Sequence, residues 1–358
     1  MNVIDIHAHV IFEKTLNSIK DYGPEIGGNI DKPWFRVGDY KLEGVRYRDT
    51  PFMDINLRLE AMAKMGIDYQ VLSPNPITYF HFIDSKSAIE YCKLHNDIMA
   101  ETIMRCPESL GGFASLPMQD PEEAAKDSDF VFTCVGNDDD LKEVTFGKNG
   151  IFKTIKRGSI YIDNTTASAT IAREIYDYSV KNNFGFLDAP VSGGQAGAES
   201  GALTIMIGGD QKHFDKAKSV IDCYSRKMQL LGPAGSGQLA KMVNQICIAG
   251  LVQGLSEAIN FGLNAGLKME DVIGVISKGA AQSWQMENRS KTMIDDKFNF
   301  GFAVDWMRKD LKIAMDEAKK NNSPLPITKI IDDYYAEIQK MGGNRWDTSS
   351  LIRRFRKK

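Results

Sequence analysis

The chain has 358 residues, 25% of them charged, and a net charge of −3. That length supports two or three domains with sizeable cores, and the near-neutral balance excludes a general electrostatic footprint for nucleic acid. Five widely spaced cysteines with no C-x-x-C pair exclude a disulfide scaffold and predict a reducing, cytoplasmic setting. No apolar run reads as long enough for a membrane span, and the start lacks the basic and apolar regions of a signal peptide.

In chain order, residues 3–9 read as a buried first strand. His7 and His9 are two apart, so both imidazoles fall on one strand face, a common arrangement for two metal ligands. Residues 18–52 are polar, with Gly, Pro and aromatics, and read as an excursion loop. Residues 57–65 have helical apolar spacing. Residues 67–73 form a second strand, 87–104 a helix and 111–117 a third strand. The alternation predicts a parallel sheet.

This opening resembles that of the amidohydrolase-related decarboxylases, the group of aminocarboxymuconate semialdehyde decarboxylase. The resemblance is carried by His7-Ala-His9, Gly66-Ile-Asp-Tyr-Gln-Val-Leu-Ser73, Asn96-Asp97 and Ala114-Ser-Leu-Pro-Met-Gln-Asp-Pro121. It implies the first strands of a (β/α)8 barrel with a divalent metal held partly by His7 and His9. After His95 no histidine follows until His213, so no third ligand is visible, and about 250 residues would be needed for a whole barrel. The pair is therefore expected to be vestigial, without a tightly held metal.

Pro121-Glu-Glu-Ala-Ala-Lys-Asp127 reads as a join. Beyond it, Phe130-Val-Phe-Thr-Cys-Val-Gly136 is a continuous apolar run, as for a strand buried on both faces. Residues 159–163 are a strand and 167–181 a helix. Residues 203–207 and 228–231 complete the sheet, with Asp210 as an N-cap between them. Inside the stretch from Asp188 to Gly209, Pro190 ends a strand. Ser192, Gly193, Gly194, Gly197 and Gly201 follow. Glycines let backbone N–H groups approach a ligand closely, and a row of such donors suits a carboxylate; the plain alternative is a tight inter-strand connection.

Gly232-Pro-Ala-Gly-Ser-Gly237 reads as a hinge, and the chain is helical from Gln238 onward, with further helices near 269–278, 305–321 and 327–341. Lys241, Asn244 and Gln245 share one helix face. A lysine in a mostly apolar helix is costly unless paired. The basic end from Arg353 to Lys358 reads as a solvated tail.

Residues 127–358 resemble the β-hydroxyacid dehydrogenases, the family of 3-hydroxyisobutyrate dehydrogenase and tartronate semialdehyde reductase. The resemblance rests on the glycine stretch after Asp188, on Gly235-Ser-Gly-Gln-Leu-Ala-Lys-Met-Val-Asn-Gln245 and on Asp305-Trp-Met-Arg-Lys-Asp310. It implies Lys241 as general acid/base, held by Asn244 or Gln245, and a substrate carboxylate on Ser192, Gly193, Gly194 and Lys309. It also implies NAD or NADP beside Val135, Gly136, Asn137, Thr165, Thr166 and Asp310. Thr165 and Thr166 read equally as helix caps. The family opens with Gly-x-Gly-x-x-Gly, whose glycines bring the pyrophosphate to a helix N-terminus; no such string precedes residue 127.

The expectation is an α/β chimera. Residues 1–126 would be an amidohydrolase-like βαβαβ fragment, 127–234 the second half of a Rossmann domain and 235–358 an all-helical domain. The N-terminal strands would extend the Rossmann-like sheet in place of its lost half. The expected function is NAD(P)-dependent oxidation of a small β-hydroxyacid with weakened dinucleotide binding, in a homo-oligomer, without membrane or nucleic-acid partners. A metal-dependent hydrolase or decarboxylase and an inactive fusion are the alternatives.

Overall fold

The computed structural model describes residues 3–356; Met1 and Asn2, and Lys357 and Lys358 of the basic end, lie outside the described residues. The chain divides into two compact units. One holds residues 1–126 with 144–154, the other 127–143 with 155–358.

In the first unit, β1 (Ile4–Val10), β5 (Tyr69–Pro74) and β6 (Leu110–Gly112) form a parallel three-stranded sheet in the order β1-β5-β6. Helices α1 (Ile55–Met65) and α2 (Ser85–Arg105) make the crossovers. Asp54 caps α1 by accepting from the N–H groups of Asn56 and Leu57, an interaction worth about 1 kcal/mol. Ala8, Val10, Phe12, Met62, Leu72, Met99 and Leu110 form the core between these layers.

The expected excursion loop is instead an antiparallel meander of β2 (Glu25–Gly28), β3 (Pro33–Val37) and β4 (Tyr40–Glu43). Its buried side chains are Phe35 and Val37, packed with Ile11, Ile19, Tyr47, Phe80 and Tyr91. The alternation of Phe35 and Val37 before the Gly38-Asp39 turn carried the strand signal. The surrounding polar residues masked it.

In the second unit, β7 (Phe130–Thr133), β8 (Ile160–Asp163) and β9 (Gly185–Asp188) run parallel. The strand β11 (Leu203–Gly209) then pairs antiparallel with β9 and with β10 (Val191–Ser192), and parallel with β12 (Ser225–Leu230). The sheet is thus Rossmann-like with a parallel centre, and mixed where β11 reverses. Every residue of β8 and β9 is buried, as expected for strands covered on both faces. Helices α4 (Asp138–Phe146), α5 (Ala169–Asn182), α6 (Gly194–Glu199) and α7 (Gln211–Asp222) connect these strands, and the short α3 (Pro121–Ala125) precedes them.

The N-terminal strands do not extend this sheet, contrary to expectation. They pair with one another, and β7 pairs with β8 alone among the described strands. One face of the N-terminal sheet packs on a core of its own, while Ile4 and Ile6 of β1 stay exposed, so residues 3–9 are not the buried strand that their apolar run predicts.

The C-terminal part is built on α8 (Ser236–Asn264), against which α10 (Trp284–Ile294), α11 (Val304–Lys320), α12 (Pro326–Lys340) and a 3₁₀ segment (Thr348–Phe355) pack, with α9 (Met269–Ile276) beside α10. Their core contains Ala249, Val252, Val304, Met307, Leu311, Tyr335 and Leu351. By length and composition α8 is long and apolar enough to cross a membrane, against the reading that no run reaches that length. In the structure it is the central helix of this bundle and carries the buried polar residues Gln238, Lys241, Gln245 and Gln253.

The basic end is not a solvated tail. Arg353 pairs with Asp296 at 2.7 Å and stacks on Trp346, Arg354 pairs with Glu337 at 2.8 Å, and Arg356 reaches Asp296 at 2.9 Å. Burial of Leu351 and Ile352 in the bundle draws the chain down, and the guanidinium stems then lie along its surface.

Candidate active site in the second unit

Two neighbouring carboxylates organise the carboxyl ends of the sheet. Asp163 and Asp188 are register partners at the last positions of β8 and β9, and both are fully or almost fully buried. Asp163 Oδ1 accepts from the Thr133 hydroxyl at 2.9 Å and from the Thr165 N–H at 3.1 Å. Thr165 Oγ1 in turn accepts the Val135 N–H at 2.9 Å. The two segments read as facing a dinucleotide are thereby tied together. Thr165 does not cap α5; Ser168 does.

Asp188 works on the other side. Its oxygens accept the Gly235 N–H at 2.8 Å and the Gln238 N–H at 2.9 Å, which anchors the start of α8 on the sheet. The approach is so close that a Cβ on Gly237 would stand 2.5 Å from the Met206 carbonyl oxygen and 2.6 Å from that of Asp188. Only glycine tolerates that contact. Burial pushes the Asp163 carboxyl up to about 7, with Asp188 adding in the same direction and the hydrogen bonds from Thr165 and Thr133 opposing. Asp188 is raised too, chiefly by burial.

Lys241 follows on the next turn of α8. It is 6% exposed, and its Nζ donates to the Val191 carbonyl at 2.9 Å, immediately before Ser192, Gly193 and Gly194. Burial lowers its pKa, Asp310 pulls it back up, and Lys309 adds to the lowering. Asn244 and Gln245 do not hold Lys241, contrary to the sequence reading. Asn244 donates to Gln245 at 2.8 Å, and Gln245 donates to Asp310 Oδ2 at 2.6 Å. The Lys309 amino group lies 3.1 Å from Asp310 Oδ1 and donates to the Thr166 carbonyl at 2.5 Å. Burial raises the Asp310 carboxyl against the pull of both lysines. One buried carboxylate thus stands among two amino groups.

Other expected residues are placed differently. The Asn137 side-chain oxygen is occupied at the start of α4, accepting from the N–H groups of Asp139 at 2.7 Å and Asp140 at 3.0 Å. Gly136 lies beside Asp140 and the Trp306 ring. Gly193 and Gly194 are exposed, with φ of 138° and 61°. Asp163, Asp188 and Gln238 were missed by sequence reasoning. Asp163 precedes the Thr165-Thr166 pair, and Gln238 sits inside the run leading to Lys241, so position was the available signal.

In the first unit, His7 Nε2 and His9 Nε2 stand 3.0 Å apart, and His9 Nδ1 lies 3.2 Å from the Pro74 carbonyl oxygen. Among the described residues no group of three or more His, Cys, Asp and Glu side chains is placed to hold a metal ion.

Comparison with known proteins covers the second unit and reaches about thirty residues into the first. Residues 97–232 match the NAD-binding domain of 6-phosphogluconate dehydrogenase, and residues 235–355 match the NAD-binding domain of NADP-dependent 3-hydroxyisobutyrate dehydrogenase. An uncharacterised oxidoreductase of Shewanella frigidimarina is 62% identical over 237 residues, covering 66% of this chain and 81% of that protein. A probable mitochondrial 3-hydroxyisobutyrate dehydrogenase of Dictyostelium discoideum is 32% identical over 236 residues, covering 64% and 74%. The solved structure of 3-hydroxyisobutyrate dehydrogenase from Salmonella typhimurium shares the fold, with a TM-score of 0.60 at 24% identity over 82% of this chain and 93% of that one. The chain belongs to the 3-hydroxyisobutyrate dehydrogenase family of NAD(P)-dependent oxidoreductases.

Proposed function

We propose that the second unit oxidises the hydroxyl of a small β-hydroxyacid, with Lys241 moving the hydroxyl proton. The observation that carries this reading is the buried Lys241 amino group beside Val191 and the Ser192-Gly193-Gly194 turn. A neutral amine can accept a proton, and burial favours that form. Ser192, Gly193, Gly194 and Lys309 receive the substrate carboxylate. Asn244, Gln245 and Asp310 act behind the lysines as an orienting chain rather than on the substrate.

Val135, Gly136, Asn137, Thr165 and Thr166 fit the nicotinamide end of NAD or NADP, since they lie at the carboxyl ends of parallel strands where such folds take ligands. The fit fails at the other end: no Gly-x-Gly-x-x-Gly string occurs, and β7 lacks a second neighbour among the described strands. The dinucleotide, when bound, supplies the hydride acceptor, and weakened affinity for it is part of this reading. Steady-state rates with 3-hydroxyisobutyrate and either dinucleotide test it; absence of turnover with both would overturn it.

Residues 1–126 read as a segment of amidohydrolase-like origin, supported by the parallel β1-β5-β6 sheet with His7 and His9 on β1. A homo-oligomer is supported by exposed apolar residues on α8 and α9, among them Val243, Phe261 and Val275; light scattering on the purified chain tests that. The five cysteines are all free, which supports the cytoplasmic reading.

A further inference from the structure

Gln238 is fully buried, and neither resemblance assigns it a role. Its amide grips the loop between β8 and α5 at two points: Nε2 donates to the Thr165 carbonyl at 2.8 Å, and Oε1 accepts the Ala167 N–H at 3.0 Å. Its own N–H is held by Asp188 at 2.9 Å. Between the two gripped positions lies Thr166, whose carbonyl accepts from Lys309. One short turn beyond Gln238 on α8 comes Lys241. The side chain therefore joins three things: the loop that carries Thr165 and Thr166, the anchor of Lys309, and the helix of Lys241.

We propose that Gln238 is a positioning residue that clasps the cofactor-side loop to the helix of Lys241, so that a hydroxyacid and a dinucleotide each bind better when the other is present. The inference rests on the functional reading above for which ligands lie on the two sides. The geometry requires a side chain of this length with a donor and an acceptor on one planar group. A planar amide can bridge a carbonyl and an N–H two residues apart. Loss of both bonds leaves a buried carbonyl and a buried N–H without partners, so the loop must open or shift to hydrate them. Coupling between the two ligands is reciprocal, so it can be read from either one.

The test uses Gln238→Met, which fills a similar volume without hydrogen bonds, and Gln238→Glu. Hydrogen exchange of the intact chain should show the Ala167 amide exchanging at least tenfold faster in Gln238→Met, with the interior of α8 unchanged. Unchanged exchange at Ala167 overturns the clasp, whatever the enzyme does. NADPH and NADH fluorescence titrations with and without 3-hydroxyisobutyrate then read the coupling. In the parent the hydroxyacid should tighten dinucleotide binding, and in Gln238→Met that factor should fall towards one. A parent without such coupling, or a Met variant that keeps it, overturns the positioning role.

Gln238→Glu supplies the control that a merely structural role would not meet. A protonated carboxyl has one donor and one acceptor in the same span, and the buried Asp163 and Asp188 favour the neutral form. This variant should recover slow Ala167 exchange and ligand coupling as pH falls, whereas Gln238→Met should not. Failure of the functional reading is distinguishable, because it is seen as absent turnover in the parent or as full turnover in Lys241→Ala, while the exchange result stands on its own.

Discussion

The fold brings together two pairs of basic side chains, and they differ in what stands behind them. His7 and His9 face each other across 3.0 Å on one strand, with the Pro74 carbonyl as the further partner. Lys241 and Lys309 come from different helices: Lys309 pairs with Asp310, which Gln245 and Asn244 back, the charge of Asp310 acts on Lys241, and the Val191 and Thr166 carbonyls accept from the two amino groups. A pair spaced two apart on a strand follows from local geometry alone. A pair assembled from two helices around one buried carboxylate needs the whole unit, and a buried charge persists only when such partners satisfy it. The two pairs thus differ in their supporting residues more than in their own chemistry.

The largest test of that contrast is Lys241→Ala. Turnover of 3-hydroxyisobutyrate should fall by about 10²–10⁴-fold; the Val191 carbonyl and Asp310 each lose a partner, so the melting temperature should fall too, and circular dichroism at the assay temperature checks that the variant is folded. A variant with parental turnover would move the proton transfer elsewhere, Lys309 being the next amino group in the network.

Next in size is dinucleotide affinity. Calorimetric titration should give dissociation constants above the micromolar range for both NAD and NADP, since no Gly-x-Gly-x-x-Gly string is present to bring a pyrophosphate to a helix N-terminus. Sub-micromolar binding would mean that some other element supplies that cradle.

A smaller effect separates the two carboxylates beneath the site. The Asp163 carboxyl is raised from 3.8 to about 7 in the folded chain. The folded state then binds the proton more tightly than the unfolded one. Its contribution to stability is complete below the unfolded value and is lost as pH rises through about 7. Asp163→Asn should flatten the melting temperature against pH between about 4 and 7, on the order of several degrees. Parallel curves for parent and variant would show that Asp163 does not titrate in that window.

The smallest expected effect falls on the histidines. His7→Ala should leave hydroxyacid turnover unchanged and alter stability by less than about 0.5 kcal/mol, and the purified parent should carry no stoichiometric zinc by mass spectrometry. One zinc per chain, lost in His7→Ala, would give the first pair the support that the structure withholds.

Much of the second unit was determined by the sequence itself. The apolar runs of β8 and β9 do become strands buried on both faces, whereas β7, read the same way, stands at the sheet edge with Phe132 exposed. Lys241 stood out in the sequence because a lysine in a mostly apolar helix is costly unless paired, and the structure does bury it. The tertiary structure alone decided the rest. Asn244 and Gln245 lie on the face of Lys241, yet Gln245 turns to Asp310 because α11 presents a buried carboxylate there, which helix periodicity cannot reveal. Strand pairing was equally out of reach. Residues 3–117 do contain parallel strands, but which sheet they join depends on where their apolar faces find a core, and that is a long-range choice. The basic end was misread for the same reason: its charges suggested solvent, while Leu351 and Ile352 drew it onto the bundle.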